Sequence, residues 1–270
     1  MINTKKSRFD RHRNFIKEIS IIKFKAINQY KFNIYSNFLT NFGYVATLFL
    51  SFHILKSNFS NLFYWNMYEY LFFFLLLETG LFIFTPWFRY LYRYLLTGEF
   101  NNCLLRPINP FINYTFSSNK YFDFINAIFY IMLLIIYIFF ILPNLNILKF
   151  TITFIFFIIG GVMNTSTYCL IDSLGFFMKN NRQIKSTYFK ASDVASRYPA
   201  SFFKNSNIFY IIIFLANTYF AIWTTDFYFS YINFQELIIL FIPCFIVIFI
   251  SIISSILLWK FGIEKYEAFG

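Results

Sequence analysis

The chain has 270 residues, of which 59% are hydrophobic and only 13% are charged, and its formal net charge is +11. Soluble domains contain about 25% charged residues, so this composition excludes an ordinary soluble protein. The apolar residues occur in runs of about 20, and they lack the alternation of transmembrane β-strands. The sequence therefore predicts an all-α, multi-pass membrane protein.

The N-terminal segment, residues 1–36, is basic and amphipathic, and we separate it from a transmembrane domain at 37–270. Residues 1–14 are polar, and no short apolar core with a cleavage site follows them, which predicts an uncleaved N-terminus. Six apolar residues further along share one side of a helical wheel: Phe15, Ile16, Ile19, Ile22, Ala26 and Tyr30. This pattern favours an interfacial helix that leads into the first span, and a basic tail with some local helix is the alternative.

Six apolar runs are long enough to cross a bilayer as helices, which requires about 17–25 residues each. They lie at about 38–55, 68–89, 121–142, 148–171, 207–226 and 236–259. The sequence therefore predicts six transmembrane helices joined by three short loops on one side and two long loops on the other.

Lysine and arginine are distributed very unevenly among the segments outside these runs. Of the 23 basic residues, 21 lie before residue 37, between 89 and 120, between 179 and 206, or after 259. Basic residues favour the cytoplasmic side, so both termini and both long loops are predicted to be cytoplasmic. This topology accounts for the positive charge, which indicates contact with anionic membrane lipid and requires no nucleic acid partner.

Glu78 is the one ionisable residue deep inside a predicted span. A charge at that depth costs about 2.5 kcal/mol or more, so Glu78 is expected to face other helices or a wet cavity. It is either a polar point on a substrate path or a proton site, or else a structural carboxyl that is protonated or hydrogen-bonded to a neighbouring helix. Asp172 is expected at the membrane interface near the inner end of the fourth run, and the pair Gly160–Gly161 predicts a close helix contact or a kink.

No catalytic site is predicted. The chain contains no phosphate-binding P-loop, no HExxH zinc motif and no GxSxG nucleophile motif. Its two histidines are far apart and its three cysteines are isolated, so we expect no metal site and no directly bound cofactor. The sequence therefore predicts that the chain is not an enzyme.

A polar segment, GEFNNCLLRPINP at 98–110, separates the second and third predicted spans. Glycine suits the end of a helix, so Gly98 is predicted to end a helical extension of the second span. The stretch Glu99–Arg106 can form about two helical turns, which Pro107 and Pro110 would stop.

Three apolar side chains in this short helix, Phe100, Leu104 and Leu105, are surrounded by polar residues. Such a helix would fit a docking element for a water-soluble partner. An ordinary connecting loop is the alternative, and the residues themselves do not decide between the two.

Three short motifs resemble those of the permease subunits of type-2 ABC exporters, in the branch of long-uncharacterised six-span permeases. GEFNNCLLRPINP at 98–110 is similar to the family's Gly, Leu and Arg-Pro pattern after the second span. RYPASFF at 197–203 is similar to its Tyr-Pro motif before the fifth span, and WKFGIEKYEAFG at 259–270 is similar to its C-terminal pattern. The motifs occur in the family's order and span most of the chain.

This resemblance implies that the loop after the second span carries a coupling helix, which seats in a groove of a separate P-loop ATPase subunit. The residues that would form it are Gly98, Glu99, Phe100, Leu104, Leu105, Arg106 and Pro107. The ATPase would use ATP and Mg²⁺, whereas this chain would bind no cofactor. The resemblance also implies a second permease chain, identical or related, and export of a substrate across a bacterial cell membrane.

Two other functions stay open from the sequence. A gradient-driven secondary transporter would be built around Glu78, although no two-fold repeat of spans is evident. A membrane-anchored immunity or assembly protein would transport nothing. The identity of the substrate does not follow from the sequence.

Overall fold

The computed structural model of the protein describes residues 2–29, 31–58, 65–85, 87–88, 90–118, 121–141, 146–178, 181–198 and 215–266. Regular structure in these residues is entirely helical. The helices of the first half are α1 (Ile2–Gln29), α2 (Lys31–Asn58), α3 (Met67–Phe84), α4 (Leu91–Leu96), α5 (Phe100–Leu104), α6 (Pro110–Ser118) and α7 (Tyr121–Phe140). The second half contains α8 (Ile147–Ser173), a 3₁₀ turn (Leu174–Phe176), α9 (Arg182–Ala195), α10 (Ala216–Thr218), a π-helix (Tyr219–Trp223), α11 (Thr224–Tyr228) and α12 (Phe234–Glu264).

Five described helices are long and apolar enough to cross a membrane, namely α2, α3, α7, α8 and α12. They coincide with the first, second, third, fourth and sixth predicted runs, and α3 ends earlier than predicted, at Phe84. Most of the first half of the fifth predicted run, residues 207–214, lies outside the described residues. Its second half is helical and buried, from α10 to α11. A sixth span and the sidedness of the chain therefore stay predictions.

The side chains of α12 show how the sequence suits a lipid environment. Its buried residues recur at intervals of three, four or seven positions and form one stripe: Leu237, Phe241, Cys244, Ser251, Ser255, Trp259 and Gly262. The opposite face is also apolar but exposed, with Phe249 at 67% and Ile256 at 63% exposure. A helix that is apolar all round must be covered by other helices or by lipid, so the exposed face of α12 is suited to lipid or to a further helix.

The helix α8 lies at the centre of the bundle. It packs along α12 and also contacts α3 and the π-helix. A Cβ atom on Gly160 would lie 2.6 Å from the backbone nitrogen of Phe220, so only glycine permits this approach. The adjacent Gly161 likewise leaves room for the ring of Phe84. The predicted close helix contact at this glycine pair is confirmed.

The chain between 181 and 198, which was predicted as part of a basic loop, folds back along α8. Lys185 near the start of α9 bonds to Asp172 near the end of α8. One turn further along α9, the ring of Phe189 stacks on Tyr168 of α8 with centroids 4.2 Å apart. This pairing order shows that α9 runs antiparallel to α8, so its later charged residues lie beside the spans.

The N-terminal helix α1 packs against α6 and α7. Lys23 donates hydrogen bonds to the carbonyl oxygens of Phe116 (3.0 Å) and Ser117 (2.6 Å) at the end of α6. Of the predicted apolar side, Phe15 is half-buried, whereas Ile22 is 65% exposed. The predicted helix is present, and its location in the membrane interface stays a prediction.

Candidate functional site

The predicted coupling segment forms a compact set of short helices. After α4, Gly98 adopts a left-handed backbone conformation with φ of 71°, which suits the end of a helix. The prediction that Gly98 ends an extension of the second span is wrong, because α3 already ends at Phe84 and α4 is a separate helix. The following α5 spans Phe100–Leu104 and is shorter than the predicted two turns. Pro107 follows α5, and Pro110 is the first residue of α6, where proline is favoured because no helical partner is needed for its nitrogen.

The apolar residues of α5 divide into an anchor and an exposed tip. Phe100 is fully buried, and its ring lies 5.2 Å from that of Tyr266 and 5.3 Å from that of Phe176. The expectation that Phe100 presents its ring to a partner is therefore wrong, because the ring fastens α5 to the end of α12 and the 3₁₀ turn. Leu105 is 82% exposed and Leu104 is 37% exposed, so these two form the tip.

Charged residues flank the exposed tip. Glu99, Arg106 and Pro107 are all exposed. The Arg106 guanidinium lies 5.7 Å from the ring centroid of Phe15 in α1, within the range of a cation–π contact. The segment therefore presents an apolar tip with an acidic and a basic neighbour, and its basic side contacts α1.

Asp172 is the centre of a buried hydrogen-bonded cluster next to this segment. We call Asp172, Tyr114, Lys185 and the backbone of Leu91 the Asp172 node. The carboxylate of Asp172 accepts hydrogen bonds from Tyr114 Oη at 2.5 Å, from the Leu91 backbone N–H at 3.2 Å and from Lys185 Nζ at 2.5 Å. Lys185 also donates to the Phe88 carbonyl oxygen at 3.0 Å. One carboxylate thus joins the end of α8 to α4, α6 and α9.

Because the Asp172 node is buried, loss of any one of its partners should be costly in stability. Asp172 is 1% exposed, and Tyr114 is fully buried. Burial, together with the nearby Asp172 charge, raises the pKa of Tyr114 well above 10.0, so its hydroxyl keeps the proton that it donates. A buried ion pair tolerates loss of one partner poorly, because the remaining charge stays desolvated.

The helices α4, α6 and α9 cover the side chain of Asp172, and its expected depth at the membrane interface stays a prediction. Sequence reasoning missed Lys185 and Tyr114. A lone carboxylate at the end of an apolar run does signal a need for a basic partner. Six basic residues lie between 179 and 206, and nothing in their spacing indicates Lys185 as the partner.

Glu78 lies away from this node, in α3, and lines a cavity of about 340 Å³ that we call the Glu78 cavity. The residues that line it come from α3, α8, α9 and α10: Glu78, Leu81, Phe82, Thr85, Tyr168, Phe189, Lys190, Asp193 and Asn217. Glu78 is 6% exposed. Glu78 therefore borders open space between helices, and its role on a substrate path stays a prediction.

The charged groups around this cavity are partly neutralised. Arg197 donates to both carboxylate oxygens of Asp193 at 3.0 Å, and its other terminal nitrogen donates to the Tyr44 hydroxyl at 3.1 Å. The same Tyr44 hydroxyl is a hydrogen-bonding neighbour of Glu78. Within the described ranges Glu78 forms no ion pair of its own.

The segments that the structure describes contain no cluster of three or more histidine, cysteine, aspartate or glutamate side chains that could hold a metal ion. The cysteines Cys103, Cys169 and Cys244 are buried and form no disulfide. Burial raises the pKa of Cys103 to about 11, so its thiol is not a reactive thiolate at neutral pH.

Comparison of the sequence with known protein families identifies one that it matches. The ABC-2 family transporter proteins match residues 42–270, which is most of the chain. The chain therefore belongs to this family, and the resemblance to type-2 ABC permeases is confirmed. No curated protein and no solved structure matches the chain.

Proposed function

Because the chain is an ABC-2 family membrane protein, we propose that it is the permease subunit of an ATP-driven exporter. A separate P-loop ATPase would bind ATP and Mg²⁺ and hydrolyse the nucleotide, and this chain would convert the resulting motion into transport out of the cell. The proposal locates the chain in a bacterial cell membrane, paired with a second permease chain that is identical or related. Membership of the family supports the permease role.

The main support for an ATPase contact is that one short segment combines an exposed apolar side chain with a buried one that packs into the bundle. Leu105 is 82% exposed, whereas Phe100, one turn earlier, is fully buried. Single exposed leucines are common on protein surfaces and do not by themselves indicate a binding site. Leu105, however, directly follows α5, a short helix whose Phe100 packs into the bundle. An apolar anchor on a rigid element is what a docking site requires.

The Asp172 node supplies a route from that segment to the spans. The node joins α4 and α6, which flank α5, directly to α8 and α9. Since α8 packs along α12 and the π-helix, a displacement of the segment would move the central helix of the bundle. We propose that ATP-driven movement of the ATPase enters the membrane domain by this route.

Purification of the tagged full-length chain from gently solubilised native membranes tests the proposal. We expect a P-loop ATPase to co-purify in stoichiometric amount, and a second six-span chain beside it would identify a heterodimer. The variant Leu105→Asp should reduce the co-purified ATPase at least about tenfold, because it places a charge in an apolar contact. Leu96→Asp, at a half-exposed leucine of α4, is the matched control and should retain the ATPase.

The same purification separates the alternatives. A gradient-driven transporter or an immunity protein would co-purify without any ATPase under conditions that preserve known complexes. Full ATPase retention by Leu105→Asp would instead show that the contact lies elsewhere on the chain.

A further inference from the structure

The Glu78 cavity is lined by a buried hydrogen-bond acceptor, the side-chain oxygen of Asn217, that no donor of the described residues satisfies. Asn217 is 2% exposed and lines the cavity, and its side-chain oxygen has no hydrogen-bond partner in the ranges that the structure describes. Glu78, also buried, lies on another wall of the same cavity. A buried acceptor without a donor costs about 1–3 kcal/mol, so Asn217 favours a ligand that supplies a donor, and the Glu78 carboxyl can accept from the same ligand in addition to Tyr44.

Of the two carboxylates that line the cavity, Asp193 is paired with Arg197, so Glu78 is the one open to a cationic ligand. Both oxygens of Asp193 accept hydrogen bonds from Arg197, so the charge of this carboxylate is already neutralised within the protein. Lys190 is exposed at the edge of the cavity, where water screens its charge. A cation that enters the cavity therefore finds Glu78 as its acidic partner.

Aromatic side chains form the apolar part of the cavity wall. Tyr168 and Phe189 stack with ring centroids 4.2 Å apart, and Phe82 lies on the α3 side. Aromatic faces attract ammonium groups and bury apolar bodies. The volume of about 340 Å³ falls at the small end of the range for ligand pockets, which begins at about 300 Å³.

We infer that the Glu78 cavity is a binding site for an amphipathic primary amine, whose ammonium group donates to Glu78 and Asn217 and whose apolar body packs on Phe82, Tyr168 and Phe189. The inference rests on the proposed function in one respect, namely that a molecule bound there is the transported substrate. Occupancy of the cavity by an amine does not itself require an ATPase.

The test uses the full-length chain in phosphatidylcholine nanodiscs and tritiated 4-phenylbutylamine as the probe. Wild-type protein should show saturable binding, which 4-phenylbutanol and 4-phenylbutyrate displace at least about tenfold less well than unlabelled amine. Glu78→Gln should weaken amine binding at least about tenfold, because a charged hydrogen bond becomes a neutral one. Glu264→Gln removes an exposed carboxyl at the end of α12 and should bind like the wild type.

A second variant keeps the test informative if Glu78→Gln does not fold. Asn217→Leu removes the other acceptor while leaving Glu78 in place, and it should weaken binding by about fivefold. Absence of saturable binding, equal binding by Glu78→Gln, or equal competition by 4-phenylbutyrate would each overturn the inference.

The outcome is independent of the ATPase experiment. An ATPase that co-purifies with a chain that does not bind amines would refute this substrate class and leave the permease proposal standing. Saturable amine binding without any ATPase would support the site and refute the ATP-driven mechanism.

Discussion

Two buried carboxylates, Asp172 and Glu78, have opposite surroundings. Asp172 is 1% exposed and accepts hydrogen bonds from Tyr114, Lys185 and the backbone of Leu91. Glu78 is 6% exposed and lines a cavity, with Tyr44 as its hydrogen-bonding neighbour. A carboxylate whose partners come from several elements fastens those elements together, whereas one that faces a cavity is available to a ligand.

The largest expected effect follows from breaking the Asp172 node. Asp172→Ala or Lys185→Met alone leaves one buried charge without its partner, and we expect either change to reduce stability by about 3–5 kcal/mol. Thermal unfolding in detergent, followed by fluorescence, measures the loss. The double variant Asp172→Ala/Lys185→Met should recover much of it, because neither charge is then left buried.

An exposed ion pair provides the control for the node. Asp193 and Arg197 form a close pair whose side chains are both 43% exposed. Asp193→Ala should therefore change the free energy of unfolding by less than about 1 kcal/mol. If Asp172→Ala costs no more than this, the node does not hold the segment to the spans.

The next largest loss of stability is expected in α8, the helix that contains Asp172 of the node and Tyr168 of the Glu78 cavity. Gly160→Ala would force its Cβ against the backbone of Phe220, and we expect a loss of about 1–3 kcal/mol. Gly43→Ala is the matched control, because no heavy atom lies within 4 Å of its Cβ position. That change should stabilise the helix by up to about 1 kcal/mol, because alanine is the better helix former. Equal melting temperatures for the two variants would contradict the close packing of α8.

Much of the membrane fold could be predicted from the sequence because lipid imposes long apolar runs. Four of the predicted runs, together with α3 up to Phe84, coincide with described helices. The glycine pair at 160–161 correctly indicated a close helix contact, since small residues let helix backbones approach each other. The α9 helix was not predicted, because its basic and polar residues match a solvated loop equally well.

The sites were predicted less completely than the spans. Gly98 and the short helix after it were recognisable, because turn and cap preferences act locally. The burial of Phe100 was not recognisable, since its partners Phe176 and Tyr266 come from distant parts of the chain. Glu78 stood out as a charge within an apolar run, but its cavity depends on α9 and α10, whose positions only the tertiary structure gives.

A smaller effect is expected where α1 meets the end of α6, because the contact there is only partly buried. Lys23→Ala removes two hydrogen bonds to the end of α6 and should increase hydrogen exchange in α1 several-fold. Lys25→Ala, at an exposed lysine of the same helix, should not. Equal exchange in the two variants would contradict the role of Lys23 in holding α1.

The Lys23 contact should also depend on pH. Burial lowers the pKa of Lys23 from 10.5 to about 8, so the docked helix binds the proton less tightly than the undocked helix does. Docking of α1 should therefore strengthen as the pH rises from about 8 towards 10, and this dependence should be absent in Lys23→Ala. Protection of α1 amides, corrected for the intrinsic effect of pH on exchange, measures it.

The smallest expected effect on stability is at Glu78, and it is the sharpest test of the contrast with Asp172. If Glu78 were a structural carboxyl, Glu78→Leu would strand its hydrogen-bond donors and cost about 1–3 kcal/mol. Only the Tyr44 hydroxyl would lose Glu78 as an acceptor, while it keeps the bond that it accepts from Arg197. A leucine would also remove a buried carboxyl from a largely apolar helix, which offsets that loss. We therefore expect Glu78→Leu to leave the melting temperature unchanged or to raise it, while amine binding is lost. A carboxylate that lowers stability and binds the amine would have a role in binding rather than in the fold. A melting temperature lowered as far as that of Asp172→Ala would instead make both carboxylates structural.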